Sequence, residues 1–203
     1  TSSDLLSEYK FKKVKQGKSV GVLHISDTHF NELVSLPHNN YDFKVASRRL
    51  KHFVTEAKKL FKCYNINNVL IAITGDLINS DRRLDEILNM SVNRSKAIFL
   101  AVDLLQQIIH DVGEDYSVTV ACVTGNESRL KQEWGWTDFM ASDNYDFVIF
   151  EMLRHLFKQT NVEFVVDDPS EVVVNVAGQN LLLLHGNGSF TTQHEKSVNQ
   201  IKG

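Results

Sequence analysis

The chain has 203 residues, 42% hydrophobic and 23% charged, with a formal net charge of −3. That length and balance fit one globular domain with a sizeable core. They exclude a membrane span, since no run of about 18 apolar residues occurs, and they do not announce a polycationic nucleic-acid binder.

Taken in chain order, Lys10, Lys12, Lys13, Lys15 and Lys18 form a basic N-terminal arm with no apolar stretch of signal-peptide type. Ser19 to Ser26, SVGVLHIS, is a short β-rich run ending in polar residues and reads as a first strand. From Tyr41 to Tyr64, Phe43, Ala46, Leu50, Phe53, Ala57 and Leu60 recur at steps of three and four, which predicts an amphipathic helix. Asn68 to Gly75 is an unbroken apolar run, as expected of a strand covered on both faces. Leu84 to Val112 predicts helix in one or two pieces, with Ile98, Ala101, Leu105, Ile108 and Ile109 on one side. Ser117 to Gly125 reads as a third strand and Asp146 to Lys158 as a helix. Three close strands follow over 163–166, 171–176 and 180–185, the last two joined by a VAGQN hairpin turn. Strands alternating with helices and then clustering predict an α/β layered fold. No repeat or Gly/Ser linker divides it. Cys63 and Cys122 stand at no zinc-like spacing and read as buried, reduced thiols of a cytoplasmic protein.

Ligands of such sheets collect at the carboxyl ends of the strands. Four of the apolar runs end there in donor residues: Asp27 and His29 in SDTH, Asp76 in TGD, Asn126 in TGN and His185 in LLLLHG. Gly75 and Gly125 allow a sharp turn and a close backbone approach. Two His, two Asp and one Asn make a mixed nitrogen and oxygen donor set, suited to Mn²⁺, Fe²⁺ or Zn²⁺ rather than to a thiolate-loving ion. Alternate residues of an extended segment share a side, so Asp27 and His29 can reach one ion. The two oxygens of Asp76 can bridge a metal pair, which clamps a phosphoryl group and activates a water. Each residue alone has a plainer reading. An Asp at a strand end is a turn or cap residue, a His there is hydrogen-bonded structure, and Asn126 is a left-handed turn residue. Their combined order points to a site.

That order is D-x-H, then G-D, then G-N, then a strand-end His followed by Gly. Over roughly residues 19 to 186 it resembles the calcineurin-like metallophosphoesterase superfamily. The resemblance implies a four-layer α/β/β/α sandwich with a dinuclear metal centre. Asp27 and His29 would hold the first ion, Asp76 would bridge, and Asn126 and His185 would hold the second. The whole of 1–203 would be a single metallophosphoesterase domain. The sequence departs from the pattern twice. The family follows G-N with a histidine that protonates the leaving oxygen, where this chain has Glu127. Either Glu127 is a carboxylic acid tuned for that role, or it orients a ligand, or protonation falls to water; the plain reading is a salt bridge, for instance to Arg129. The family also closes its site with G-H-x-H, which is missing here, so the resemblance implies a C-terminally incomplete domain that lacks one histidine per metal and is expected to be weak or inactive.

The catalytic candidates are thus Asp76, Asn126 and Glu127, with Arg129 and His38 as candidate substrate contacts. His24 reads as an interior group of the first strand, and His194 as a surface residue. Trp134 and Trp136 either stack bases at the rim or pack a loop. Arg48-Arg49, Arg82-Arg83 and Arg129 with Lys131 are solvated clusters or a phosphate track. The expected function is a metal-dependent phosphoester hydrolase, a phosphodiesterase or nuclease acting on DNA and similar to SbcD-type DNA repair exonucleases, with two divalent ions, Mn²⁺ foremost. The expected partners are the phosphoester substrate and, by the same resemblance, a second copy or an ATPase subunit, with no membrane. The alternatives are a phosphomonoesterase acting on proteins or small molecules, and a non-catalytic scaffold that keeps the fold.

Overall fold

A computed structural model describes residues 19–129 and 142–186. The lysine arm, Lys131, Trp134, Trp136 and His194 lie outside the described residues. Four strands form a parallel sheet in the order β1 (Val20–Ile25), β4 (Asn68–Ile73), β5 (Ser117–Cys122) and β6 (Glu163–Phe164). The strands are in step: Ile25 lies opposite Ile73, and Ile73 opposite Cys122. Three chain segments therefore leave the sheet side by side at one edge, after positions 25, 73 and 122. This register positions the site.

The two faces of the sheet are covered differently. Leu23, Ile25, Val69, Ile71, Ile73, Val118 and Val120 point to a layer of helices. Leu70, Ala72, Ala121 and Val123 point the other way and pack on Val172, Val174 and Leu183. Those last residues belong to an antiparallel pair, β7 (Glu171–Val176) and β8 (Gln179–Leu184). Its turn is Ala177-Gly178, both at positive φ (51° and 86°), as a tight two-residue hairpin requires. The described residues thus make an α/β fold of helices, parallel sheet and two-stranded sheet. Burial on both faces explains why the middle strand reads as a continuous apolar run.

The helices begin where capping side chains stand. Helix α1 (Phe43–Cys63) starts at Asp42, whose carboxylate accepts from the Val45 amide at 2.7 Å. Its buried stripe is Ala46, Leu50 and Val54, whereas Phe53 and Leu60 are exposed. The stripe expected from sequence followed the bulky residues, but steps of four keep to the face that meets the sheet. Helix α2 (Leu84–Leu88) is short and buries none of its residues. Helix α3 (Arg94–Gly113) is capped by Asn93 and buries Ala97, Ala101, Leu105, Ile108, Ile109 and Val112. The expected helix over 84–112 is therefore two pieces. Helix α4 (Tyr145–Leu156) packs Ile149, Phe150 and Leu153 into the same core. A small hairpin, β2 (Val34–Leu36) with β3 (Asn39–Tyr41), was not legible as strands; His38 is exposed in its turn.

Two cysteine expectations need correction. Cys63 is exposed at the end of α1, and Cys122 is only partly buried; both are free. No helix among the described residues is long and apolar enough to cross a membrane.

Candidate metal centre

The three parallel strand ends do not simply stop. The segment after β1 pairs by backbone with the segment after β4: Thr74 N–H donates to Ile25, Asp27 N–H to Gly75, His29 N–H to Asp76 and Phe30 N–H to Leu77. These bonds hold Asp27, His29 and Asp76 in the left-handed region, at φ 51°, 42° and 52°. That conformation costs an L-residue roughly 1–2 kcal/mol, although Asp and His are among the side chains that visit it most. Such strain persists where surrounding contacts over-determine it, often at functional sites. The expected extended geometry for Asp27-Thr28-His29 is thus replaced by turns.

The two Thr-Gly pairs bring their loops into direct apposition. A Cβ on Gly75 would stand 2.3 Å from the Gly125 nitrogen, and one on Gly125 would stand 2.0 Å from Asp76 Oδ1. Any side chain at either position would push the loops apart. Gly75 also sits at φ 84°, which favours glycine.

Three of the five expected ligands converge. Asp27, Asp76 and His185 each offer a ligand atom, all within 4.8 Å of one another. Asp27 is exposed and accepts a short hydrogen bond from Ser26 Oγ. Asp76 is 4% exposed; its Oδ2 lies 3.0 Å from His185 Nε2, and its Oδ1 accepts the Glu127 amide at 2.8 Å. His185, at the end of β8, crosses from the second sheet and meets the Thr74 carbonyl through Nδ1 at 2.6 Å. That carbonyl fixes the ring, because only Nδ1–H can donate to it, and so aims Nε2 at the carboxylates. Thr74 is itself held by His24, whose Nε2 lies 2.7 Å from Thr74 Oγ1. His24 is exposed rather than interior, and it touches the site through Thr74.

His29 and Asn126 are placed differently. His29 lies outside the three-residue group, yet its Nδ1 is buried with no hydrogen-bond partner among the described residues. A buried imidazole nitrogen without a partner is costly unless something else binds there. Asn126 donates its side-chain amide to Glu127 Oε1 at 2.8 Å, while its backbone carbonyl accepts from Arg82 Nη1 and Arg129 Nε, each at 3.3 Å. Glu127 Oε2 meets Arg82 at 3.4 Å. Glu127 is therefore ion-paired with Arg82, and its charge also acts on Arg129, the partner that the plain reading named. Glu127 thus accepts from Asn126 at one oxygen and from Arg82 at the other.

The electrostatics follow from these contacts. Burial pushes the Asp76 carboxyl up, but the hydrogen bonds from His185 and the Glu127 amide and the charges of His185 and His29 carry it below the usual range. The Asp76 hydrogen bond pushes His185 up to about 9, against burial, with help from the Thr74 carbonyl and the charges of Asp76 and Asp27. For Arg129, burial and the repulsion of Arg82 lower the pKa.

No protein-family model matches the chain, and no curated protein matches its sequence. The site's donor chemistry fits a divalent ion: two carboxylates and an oriented imidazole meet in one place, and an unpartnered imidazole nitrogen lies in the adjoining turn.

One important residue gave no signal in the sequence. Asp146 looks like an ordinary acidic residue in the first turn of a helix. In the fold it is 0% exposed and lies between the two Thr-Gly loops. Only the tertiary arrangement reveals it.

Proposed function

We propose that this chain is a metal-dependent phosphoester hydrolase of phosphodiesterase or nuclease type. The observation that carries the reading is the meeting of Asp27, Asp76 and His185 within 4.8 Å, each from a separate strand end. Asp27, Asp76 and His185 would hold one ion, and His29 and Asn126 are the nearby groups proposed to complete a two-ion centre, Mn²⁺ foremost. A bound divalent ion would supply positive charge for a phosphoryl oxygen and a hydrolytic nucleophile near neutral pH. The chain's residues prepare that chemistry. Thr74 holds the Nδ1–H of His185, so that Nε2, once an ion displaces the proton it shares with Asp76, would present its lone pair. The Glu127 amide orients Asp76 through Oδ1. Arg82 and Arg129 stand together at the Asn126 backbone carbonyl, and in this reading they would offer positive charge to a phosphodiester. Glu127 braces Arg82 in this reading and leaves protonation of the leaving oxygen to water.

The same proposal includes the four-layer sandwich. Val173 is 45% exposed on the outer face of β7 and lies opposite Leu182. In this reading that apolar pair, flanked by Glu171, Asn175 and Asn180, is where a further helical layer would rest. A scaffold without turnover stays the second reading, favoured by the ion pair with Arg82, which stabilises Glu127 as the charged carboxylate rather than as an acid.

Hydrolysis of bis-p-nitrophenyl phosphate by the full-length protein with Mn²⁺ tests the proposal, and diester turnover above mono-ester turnover is the expected result. Preference for the mono-ester points to a phosphomonoesterase. Binding of Mn²⁺ with no turnover of either ester points to the scaffold. For a DNA substrate, affinity should fall steeply with salt as counterions are released.

A further inference from the structure

The Asp146 carboxylate collects four donors from two loops. Its Oδ2 accepts the amides of Asp76 at 2.9 Å and Gly125 at 3.0 Å. Its Oδ1 accepts the Leu77 amide at 3.2 Å and Ser128 Oγ at 2.8 Å. The cap of α4 is a different residue, Asn144, which accepts the Asp146 amide at 2.8 Å and donates to the Gly125 carbonyl at 2.9 Å. Asp146 is thus free of the capping role and turns its carboxylate toward the strand ends. The helix that carries it is itself tied down. Tyr145 N–H donates to the Ser128 carbonyl at 2.9 Å, and the Arg94 guanidinium lies 4.4 Å from the Tyr145 ring centre while pairing with Asp81.

A carboxylate fully removed from water is expensive unless its lone pairs are filled. Here both oxygens are filled, and every donor comes from the segments that carry Asp76 and Asn126. An amide could not replace it: one of its two ends is NH₂, which would face N–H donors.

We infer that Asp146 is a positioning residue of the metal centre. Resting on the metal reading above, it acts through Asp76 and the Asn126 loop. One buried carboxylate sets the spacing of the two loops, with the paired glycines providing the close approach. Asp146 does not touch the ion. It decides where the Asp76 carboxylate stands before an ion arrives, as groups that orient metal ligands do.

Two arms test it, on the wild-type chain, Asp146→Asn and the milder Ser128→Ala, which removes a single donor. In the metal-free arm, amide hydrogen exchange should show Asp76, Leu77 and Gly125 losing protection about tenfold or more in Asp146→Asn, with the Ile71 amide unchanged. In the second arm, calorimetric titration with Mn²⁺ should show affinity about 10–100-fold weaker. Ser128→Ala should move both readouts the same way by less, and it carries the test if Asp146→Asn does not fold. Unchanged protection at those amides overturns the inference whatever the metal does. Lost protection with wild-type Mn²⁺ affinity also overturns it, because the contacts would then be structural only. A wild-type chain that takes up no Mn²⁺ overturns the metal reading and this role with it, and the metal-free arm separates that failure from a failure of the contacts.

Discussion

Asp76 does the most at the level of single residues. One oxygen meets His185 and the other accepts the Glu127 amide. Asp76→Asn should weaken Mn²⁺ binding beyond the ~10–100-fold expected for a group that merely orients a ligand, as read by calorimetry. Metal-free protein should also report the pair through pH. His185 is held up to about 9 in the folded state, above its unfolded value near 6.5. Its contribution to stability is therefore complete below about 6.5 and is lost as pH rises toward about 9. Asp76, shifted the other way, contributes above its unfolded value and loses that contribution as pH falls through its folded one. The melting temperature of the metal-free chain should thus fall between pH 6.5 and 9, and Asp76→Asn should flatten that fall. An equal slope in both proteins would refute the pairing. At this scale the sequence was informative about donor identity and less so about donor geometry. Asp27, Asp76 and His185 were legible as strand-end donors because an apolar run that stops in a polar donor is visible in one dimension. The backbone turns at Asp27 and His29 were not visible there, since they depend on bonds to Gly75 and Asp76 some fifty residues away.

At the scale of elements, the loops after β4 and β5 behave as one unit. Gly75 and Gly125 permit contact, and Asp146 at the start of α4 ties them together. Gly125→Ala should destabilise the fold by about 1–3 kcal/mol, as overpacking does. It should also weaken Mn²⁺ binding, because the new methyl group displaces Asp76. Denaturant melts and calorimetry check the two halves; a variant of wild-type stability and affinity would show that the loops can separate freely. The long helices and the central strands were readable because their periods are set by burial on one or two faces. The β2–β3 hairpin was not, since three-residue strands leave too little pattern. The inward stripe of α1 was misjudged at Phe53 and Leu60 because residue size outvoted the helical period, whereas the fold buries Ala46, Leu50 and Val54.

For the molecule as a whole, the in-step register of β1, β4 and β5 sends three loops to one edge of the sheet, and β8 delivers His185 there from the second sheet. Chain segments from Asp27 to His185 thereby meet at one place, which no local pattern specifies. Anomalous diffraction from Mn²⁺-soaked crystals of the chain tests this account most directly. It predicts a manganese peak bonded to Asp27, Asp76 and the Nε2 of His185. Peaks only elsewhere, or none at a Mn²⁺ concentration that saturates calorimetric binding, would contradict it.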